Sequence, residues 1–398
     1  MNILLLTLWI LTGIIHLGIP LAYFASMRRA SARDGNYRLN LKTYGDPTVS
    51  ILIPTYNEAS VIEKKLVNIS EISYPKEKLQ IVLTDGGSTD GTPELARRIL
   101  ERTGLRGEVL EEGERKGKAA GLNLGLKLAS EELVCISDAE CQWDKEALRN
   151  AVRYLSDPSV GSVSGIHEIL NPHETLSTQL EDSYRSVYRV LRIGESKIHS
   201  TPVAEGELQV FRRNELAGFD PKVGGDDSDA ALNVISKGLR AISAEDVVFY
   251  EPTPRNWRSR FRQKIRRGQH ILQAFLKHKR LLFSGRSAFS TLIFPMEFFL
   301  YIINPILFVP FLALTILVLA TISLIAYVAA AGLVVSLIIP GLRRTVGTYL
   351  SNNLIMLAAI LQEVSGNRQL LWTKIEENRR DLSDGQSQSQ SKPDGMGL

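Results

Sequence analysis

Four short apolar runs in the first third of the chain stop at polar or acidic residues, and helical patterns lie between them. The runs are Val49 to Ile53, Ile81 to Thr84, Glu108 to Leu110 and Leu133 to Ser137. Runs of this length read as buried strands. Asn57 is placed to cap a first helix with Ile62, Leu66 and Ile69 on one face. Thr92 is placed to cap a second, with Pro93 at the first helical position, Leu95 and Ile99 inward and Gly104 as the stop. This alternation predicts an α/β fold with a mainly parallel sheet covered by helices on both faces. Ligands of such sheets sit beyond the carboxyl ends of the strands. Here those ends carry Pro54 to Glu58, Asp85 in IVLTDGGSTDGT, and Asp138 with Glu140 in VCISDAE; a further acidic cluster, GGDDSDAAL, begins at Gly224.

The flanks have a different character. Residues 3 to 24 contain no Lys, Arg, Asp or Glu, and at about 1.5 Å per residue they span a hydrocarbon core of about 30 Å. No basic residue precedes this run, whereas Arg28, Arg29 and Arg33 follow it. That asymmetry predicts an uncleaved anchor over 1–27, with the N-terminus outside and the next domain cytosolic. From Phe298 to Leu342 there are 45 residues without a charge, roughly twice the ~20 of one crossing. This predicts a helical hairpin within a C-terminal membrane region over 294–363. Lys279 and Arg280 before it and Arg343 and Arg344 after it place both ends in the cytosol. The uncharged stretch from Thr345 to Gln362 contains Ser351, Asn352 and Asn353, and is open to reading as a crossing, a re-entrant segment or an interfacial helix. The Gln- and Ser-rich tail, 381–398, is expected to be disordered.

Between the two parts, residues 255 to 280 hold ten Lys and Arg and no acid, with Trp257, Phe261, Ile265, Leu272 and Leu276 at near-helical spacing. Over 255–285 this reads as basic interfacial helices lying on an anionic lipid surface. The formal charge of the whole chain, +4, demands no nucleic-acid partner. Cys135 and Cys141 are the only cysteines and are expected to be reduced thiols in a cytosolic domain.

A nucleotide-sugar donor has a diphosphate leaving group, and a divalent cation held by carboxylates neutralises the charge that develops on it. Asp138 and Glu140, two apart at a strand end, point the same way in an extended chain and are placed to share one cation. Alone, such a pair is more often two solvated turn acids; its company changes the reading. GERKGKAA from Gly113 has too few residues between its glycines for a P-loop, and Ala119 stands where Ser or Thr must bind magnesium. GGSTDGT lacks the dinucleotide-binding glycine spacing.

VSILIPTYNE, LTDGGSTDGT, KGKAAGLNLGL, SDAE, GELQVFRRNELAGFD, GGDDSDAAL and QKIRRG occur in this order over roughly residues 48 to 270. Together they resemble the family 2 glycosyltransferases of GT-A fold, which implies a catalytic domain over 48–254. The resemblance implies that Thr55, Tyr56 and Glu58 line the nucleotide pocket, that Asp85 meets the base, and that Lys118 lies near the donor. It implies that Asp138 and Glu140 serve the diphosphate and a Mg2+ or Mn2+ ion, with Asp227 as general base, Gln263 on the acceptor side and Arg266 at the diphosphate. Two departures stand out. Glu140 replaces the family's usual Asp, keeping the charge on a longer arm. The family's QxxRW appears as Gln263, Lys264, Ile265, Arg266 and Arg267, and losing the Trp removes a stacking surface for an acceptor sugar.

The resulting expectation is an integral membrane enzyme, inverting and metal-dependent, that moves a hexose from a nucleotide sugar to a lipid-linked saccharide at the cytosolic face. A processive polysaccharide synthase with a polymer acceptor is the alternative within the class. A transporter with a nucleotide-binding domain is the alternative outside it, and two crossings without an internal charge offer little for a solute pathway.

Overall fold

The computed structural model describes residues 3–33, 35, 37–42, 45–224, 226–321, 323–369 and Arg379. The tail expected to be disordered lies outside the described residues. An eight-stranded sheet holds the catalytic part together: β1 (Val49–Thr55), β2 (Leu79–Asp85), β3 (Gly107–Glu111), β4 (Leu133–Ile136), β5 (Gln142–Trp143), β6 (Val160–Ile169), β7 (Gln209–Arg212) and β8 (Arg240–Glu251), in the order β3-β2-β1-β4-β7-β6-β8-β5. The first four strands are mutually parallel. The sheet then turns mixed, because β7 runs antiparallel to both β4 and β6, whereas β6 and β8 are parallel.

Thirteen α-helices are described: α1 (Ile3–Gly13), α2 (Ile19–Ser31), α3 (Ala59–Glu71), α4 (Thr92–Thr103), α5 (Lys118–Leu128), α6 (Ala147–Tyr154), α7 (Leu176–Ile198), α8 (Asp226–Ser236), α9 (Trp257–Lys277), α10 (Phe294–Phe298), α11 (Asn304–Thr321), α12 (Ser323–Ile338) and α13 (Pro340–Val364). One face of the sheet buries Ile51, Ile53, Ile81 and Leu83 against Ile62, Leu66 and Ile69 of α3, Ile99 of α4 and Leu148 of α6. The other buries Leu52, Val82 and Val134 against Leu122 of α5 and Val234 of α8. Asn57 is not the cap of α3. Its φ is +55°, Glu58 holds the N-cap position, and the Asn57 side chain instead accepts the Thr89 N–H at 2.7 Å. Gly91, with φ +82°, takes the N-cap position of α4 ahead of Thr92, and Gly104 ends that helix in the left-handed conformation as expected.

Among the described residues two helices are long and apolar enough to cross a membrane: Ile3–Ser31, which runs through α1, a π-helical turn and α2, and Phe289–Thr321, which runs through α10 and α11. The second starts upstream of the uncharged stretch, which it shares with α12. Residues 345–362 belong to α13, which packs on α9 so tightly that a Cβ at Gly268 would lie 3.1 Å from Ala359 Cβ and Met356 Sδ. The imidazole of His16 binds Asn304 Oδ1 at 2.8 Å and the Tyr349 hydroxyl at 2.6 Å, tying the first, second and last of these helices together.

The basic helix faces inward more than its apolar spacing indicated. Its buried side carries Arg260, Lys264, Gly268, Leu272 and Phe275, while Trp257 and Leu276 are exposed. The long α7 clasps the N-terminal helix: Tyr23 donates to Glu195 Oε1 at 2.7 Å, and Gly194 lies against the Met27 backbone. A Cβ there would come 2.4 Å from Met27 O, whereas one at Gly18 would meet only Ile14 Cγ2, at 3.7 Å. Gly194→Ala is therefore expected to cost about 1 to 3 kcal/mol as overpacking, read as a lower melting temperature of the detergent-solubilised chain, with Gly18→Ala close to wild type. Equal melting of the two variants would show that α2 and α7 separate freely.

Candidate active site

Register brings the motif residues to one edge. Thr55 is paired with Asp85 across β1 and β2, and its hydroxyl donates to Asp85 Oδ2 at 2.8 Å. The same carboxylate accepts the Gly87 and Ser88 N–H groups, at 3.1 and 2.7 Å, and the Ser88 hydroxyl at 2.5 Å. Asp85 is 1% exposed and shapes the DGGS turn from behind, while Thr84 and Gly86 on either side line the cavity. Tyr56 carries the Arg115 guanidinium 4.2 Å above its ring, and both line the cavity. Lys118 opens α5 after Gly117, whose φ is +98°, and its Nζ is 2.8 Å from Asp138 Oδ1.

Because β7 is antiparallel to β4, the segment leading into β7 arrives at the edge that Asp138 leaves. That segment is Glu205, Gly206 and Glu207. A Cβ at Gly206 would lie 3.3 Å from both Asp227 Cβ and Lys118 Nζ, so a bare backbone lets these two side chains approach. The next glycine loop is as tight: a Cβ at Gly224 would strike the His270 ring at 2.1 Å. Asp227 lines the cavity and its Oδ1 accepts the Ser228 N–H at 2.6 Å. Asp229, two residues on, is turned away and paired with Lys277 and His278 at 2.9 Å each. Gln263 and Arg266 line the cavity as well.

Beyond Asp227 the same cavity continues between α7, α9 and α13, past Tyr184, Tyr188, Tyr301, Ile355 and Met356. Its walls hold buried ion pairs. Arg185 and Arg192 both bind Glu205, and Arg260 and Lys264 reach Glu181 at 3.1 and 2.9 Å. Lys264 Nζ also sits 3.2 Å above the Tyr184 ring. Burial works against the charge on Glu205 and Glu181, yet Arg192 with Arg185, and Lys264 with Arg185 and Arg260, hold them well below the usual carboxylate range. Burial pushes Glu207 up to about 8, with Glu205 adding to the push, and Glu251 up to about 8 with Glu140 adding. Arg267 Nη2 lies 3.0 Å from Glu207 and 3.9 Å from Glu251.

The model of Glycosyl transferase family 2 matches residues 50–216. A solved mannosyltransferase from Pyrobaculum calidifontis, in complex with GDP-Man and Mn2+, is 35% identical over 90% of this chain and 99% of its own, with a TM-score of 0.77. The chain belongs to glycosyltransferase family 2. A probable glycosyltransferase of Bacillus subtilis, YdaM, is 26% identical over 68% of this chain and 66% of its own length. The poly-beta-1,6-N-acetyl-D-glucosamine synthase of Staphylococcus aureus is 27% identical, and the chain spans about half of it, 49%.

For a family 2 enzyme of GT-A fold, the structure gathers Thr55, Tyr56, Glu58, Lys118, Asp138, Glu140, Asp227, Gln263 and Arg266 around one cavity and leaves Asp85 behind its wall. The sequence pattern did not mark Arg115, Glu205, Glu207 or the whole of α7 with Glu181, Tyr184, Arg185, Tyr188 and Arg192. The i, i+4 pair of tyrosines in EDSYRSVYR was the available signal. Two carboxylates suit a divalent cation whose other ligands are phosphate and water. Glu140 Oε2 is buried without a hydrogen bond, and Asp138 is part-exposed; among the described residues no third acid, His or Cys joins them in a metal-binding group.

Arg267, at the position of the family's Trp, binds the two glutamates whose pKa is raised. The unfolded chain releases those protons near 4.5 and the folded chain near 8. The folded state thus holds more protons in between, and its stability falls as pH rises through that window. In Glu207→Gln the loss of melting temperature between pH 6 and 9 is expected to be smaller than in wild type; an unchanged slope would show that Glu207 ionises normally.

Proposed function

We propose that this chain is a membrane-anchored, inverting, metal-dependent hexosyltransferase that moves a sugar from a nucleotide-sugar donor to a hydroxyl of a lipid-linked saccharide at the cytosolic face. The observation that carries this reading is one continuous cavity. The family's donor motifs lie at one end, and at the other lie side chains of α7, α9, α13 and Tyr301 of the long apolar helix. An acceptor held in the bilayer reaches Asp227 through that second end without leaving the membrane surface. Arg28 and Arg29 in the last turn of the first apolar helix, with Arg33 just past it, support a cytosolic catalytic domain.

The chemistry follows from the placement. Asp227 takes the proton of the acceptor hydroxyl as its oxygen attacks the anomeric carbon from the side opposite the leaving group. The bond from that carbon to the phosphate oxygen breaks, and the nucleoside diphosphate leaves with its electron pair. Lys118 and Arg266 face the accumulating negative charge from the cavity wall. Asp138 and Glu140 would hold a Mg2+ or Mn2+ ion, which supplies Lewis-acid neutralisation of the diphosphate. The mannosyltransferase solved in complex with GDP-Man and Mn2+ supports a nucleotide sugar and a divalent ion as donor and cofactor. A second reading, a processive synthase with a polymer acceptor, draws support from the S. aureus relative. Arg267 in place of Trp weighs against it.

Membranes containing the full chain, given a panel of labelled nucleotide sugars, are expected to move label into a lipid extract and to lose that activity in excess chelator. Label retained as insoluble polymer would favour the synthase, and transfer that survives chelation would remove the metal from the scheme. Asp227→Asn keeps size but cannot take the proton, so turnover is expected to fall by about 10²-fold or more with the donor KM little changed. Normal turnover would leave Asp227 as an ordinary helix-start acid.

A further inference from the structure

The donor end of the cavity is backed by a cation from far along the chain. Arg379 is 2% exposed, and its fork is bidentate on Glu58: Nε donates to Oε2 and Nη2 to Oε1, each at 2.9 Å. Nη2 also lies 3.3 Å from Glu140 Oε2. Glu58 stands where β1 runs into α3 and Glu140 just past β4, so one guanidinium bridges the loops at the ends of two neighbouring strands. Both glutamates line the cavity, and Arg379 is not among the described residues that do.

The stretch after α13 is led back to the catalytic domain by α9. Gln269 Nε2 donates to Asn367 O at 2.9 Å, His270 Nε2 binds Gln369 O at 2.9 Å, and the Gln369 N–H donates to Gln269 Oε1 at 3.3 Å. These contacts run beside His270, which fills the space left by Gly224 just before α8, the helix that carries Asp227. The chain beyond the apolar helices therefore touches both sides of the candidate site.

We propose that Arg379 is a positioning residue for the donor: by clamping Glu58 and holding Glu140 from behind, it presents the Glu140 carboxylate to the cation-bound diphosphate. Two carboxylates buried side by side repel each other and turn apart unless a cation lies between them. A guanidinium does this with fixed geometry, because its planar fork locks one carboxylate bidentately and leaves an N–H edge for the other. A mobile Glu140 would reach the metal in one rotamer of several. Held by Arg379 through Oε2, it keeps one. Ligand-orienting partners of this kind commonly matter to metal affinity nearly as much as the ligands do.

The proposal rests on the nucleotide-sugar reading and separates from it in the test. Full-length wild type, Arg379→Gln and Arg379→Lys are compared in detergent by calorimetric titration of Mn2+ with GDP and with UDP, alongside melting temperature and the donor KM and kcat. Arg379→Gln is expected to weaken Mn2+–nucleotide binding and raise the donor KM by about 10- to 100-fold, with kcat at saturating donor changed far less. Arg379→Lys, which keeps the charge but loses the fork, is expected to fall between. A residue that merely bolts the C-terminal segment down would lower the melting temperature and leave binding and KM alone, and that result would overturn the proposal. Should Arg379→Gln fail to fold, Arg379→Lys decides: wild-type Mn2+ affinity and donor KM in that variant overturn it. A wild-type chain that binds neither nucleotide and transfers no sugar would overturn the functional reading itself.

Discussion

Carboxylates buried at one edge of a single sheet set the terms for the rest of the molecule. Glu58, Glu140, Glu205, Glu207 and Glu251 all lie there with less than a tenth of their surface exposed. Stripping water from an acid costs several kcal/mol unless a cation or a proton replaces it. The replacements come from elsewhere in the chain: Arg185 and Arg192 from α7, Arg267 from α9, and Arg379 from beyond α13. Each pairing ties a distant element to the sheet edge, alongside apolar packing such as that of Phe275 of α9 in one cluster with Leu232 of α8 and Ala241 of β8. Removing one partner leaves the other buried and unmatched, so the pairs specify the arrangement more than they add to its stability.

The membrane-directed helices are joined to the catalytic part through the same elements. The clasp of Tyr23 and Gly194 fixes the N-terminal helix to α7, whose other face supplies the arginines of Glu205. The close crossing at Gly268 fixes α13 to α9, which carries Lys264, Arg266 and Arg267. Changes at the ends of the apolar helices are thereby coupled to the cavity through two rigid helices rather than through loops.

Much of the first half of the fold was legible because parallel strands buried on both faces leave continuous apolar runs, and α3 and α4 show their inward positions at helical spacing. The donor motifs were legible for a related reason: turns that hold ligands need particular residues, such as Gly87 with φ +83° beside Gly113. What escaped was whatever depends on contacts distant in sequence. Arg260 and Lys264 look like surface charges on a basic helix, and only the approach of α7 with Glu181 turns them inward. Asp85 reads in the sequence as a ligand, and what the sequence does not show is that its carboxylate also accepts the Thr55 hydroxyl of β1 and the Ser88 hydroxyl of its own turn. Arg379 sits in a stretch whose composition gives no sign of a buried residue, and its role becomes visible only beside Glu58.

The same reasoning changes the meaning of Arg267. Taken as a departure from QxxRW, it is a missing stacking surface. Set against its neighbours, it is the cation that faces Glu207 and Glu251, both of which keep their protons to about 8 even with Arg267 beside them. A Trp at this position would offer a ring to an acceptor sugar but no charge to either glutamate. Arg267 and Glu207 therefore form one unit. Aromatic surface in this cavity comes instead from Tyr184 and Tyr188, whose rings stand 4.2 Å apart, and from Tyr301, 5.9 Å from Tyr188. That end of the cavity is thus lined by tyrosines of α7 and the apolar helix, facing the charged and polar side chains of α9.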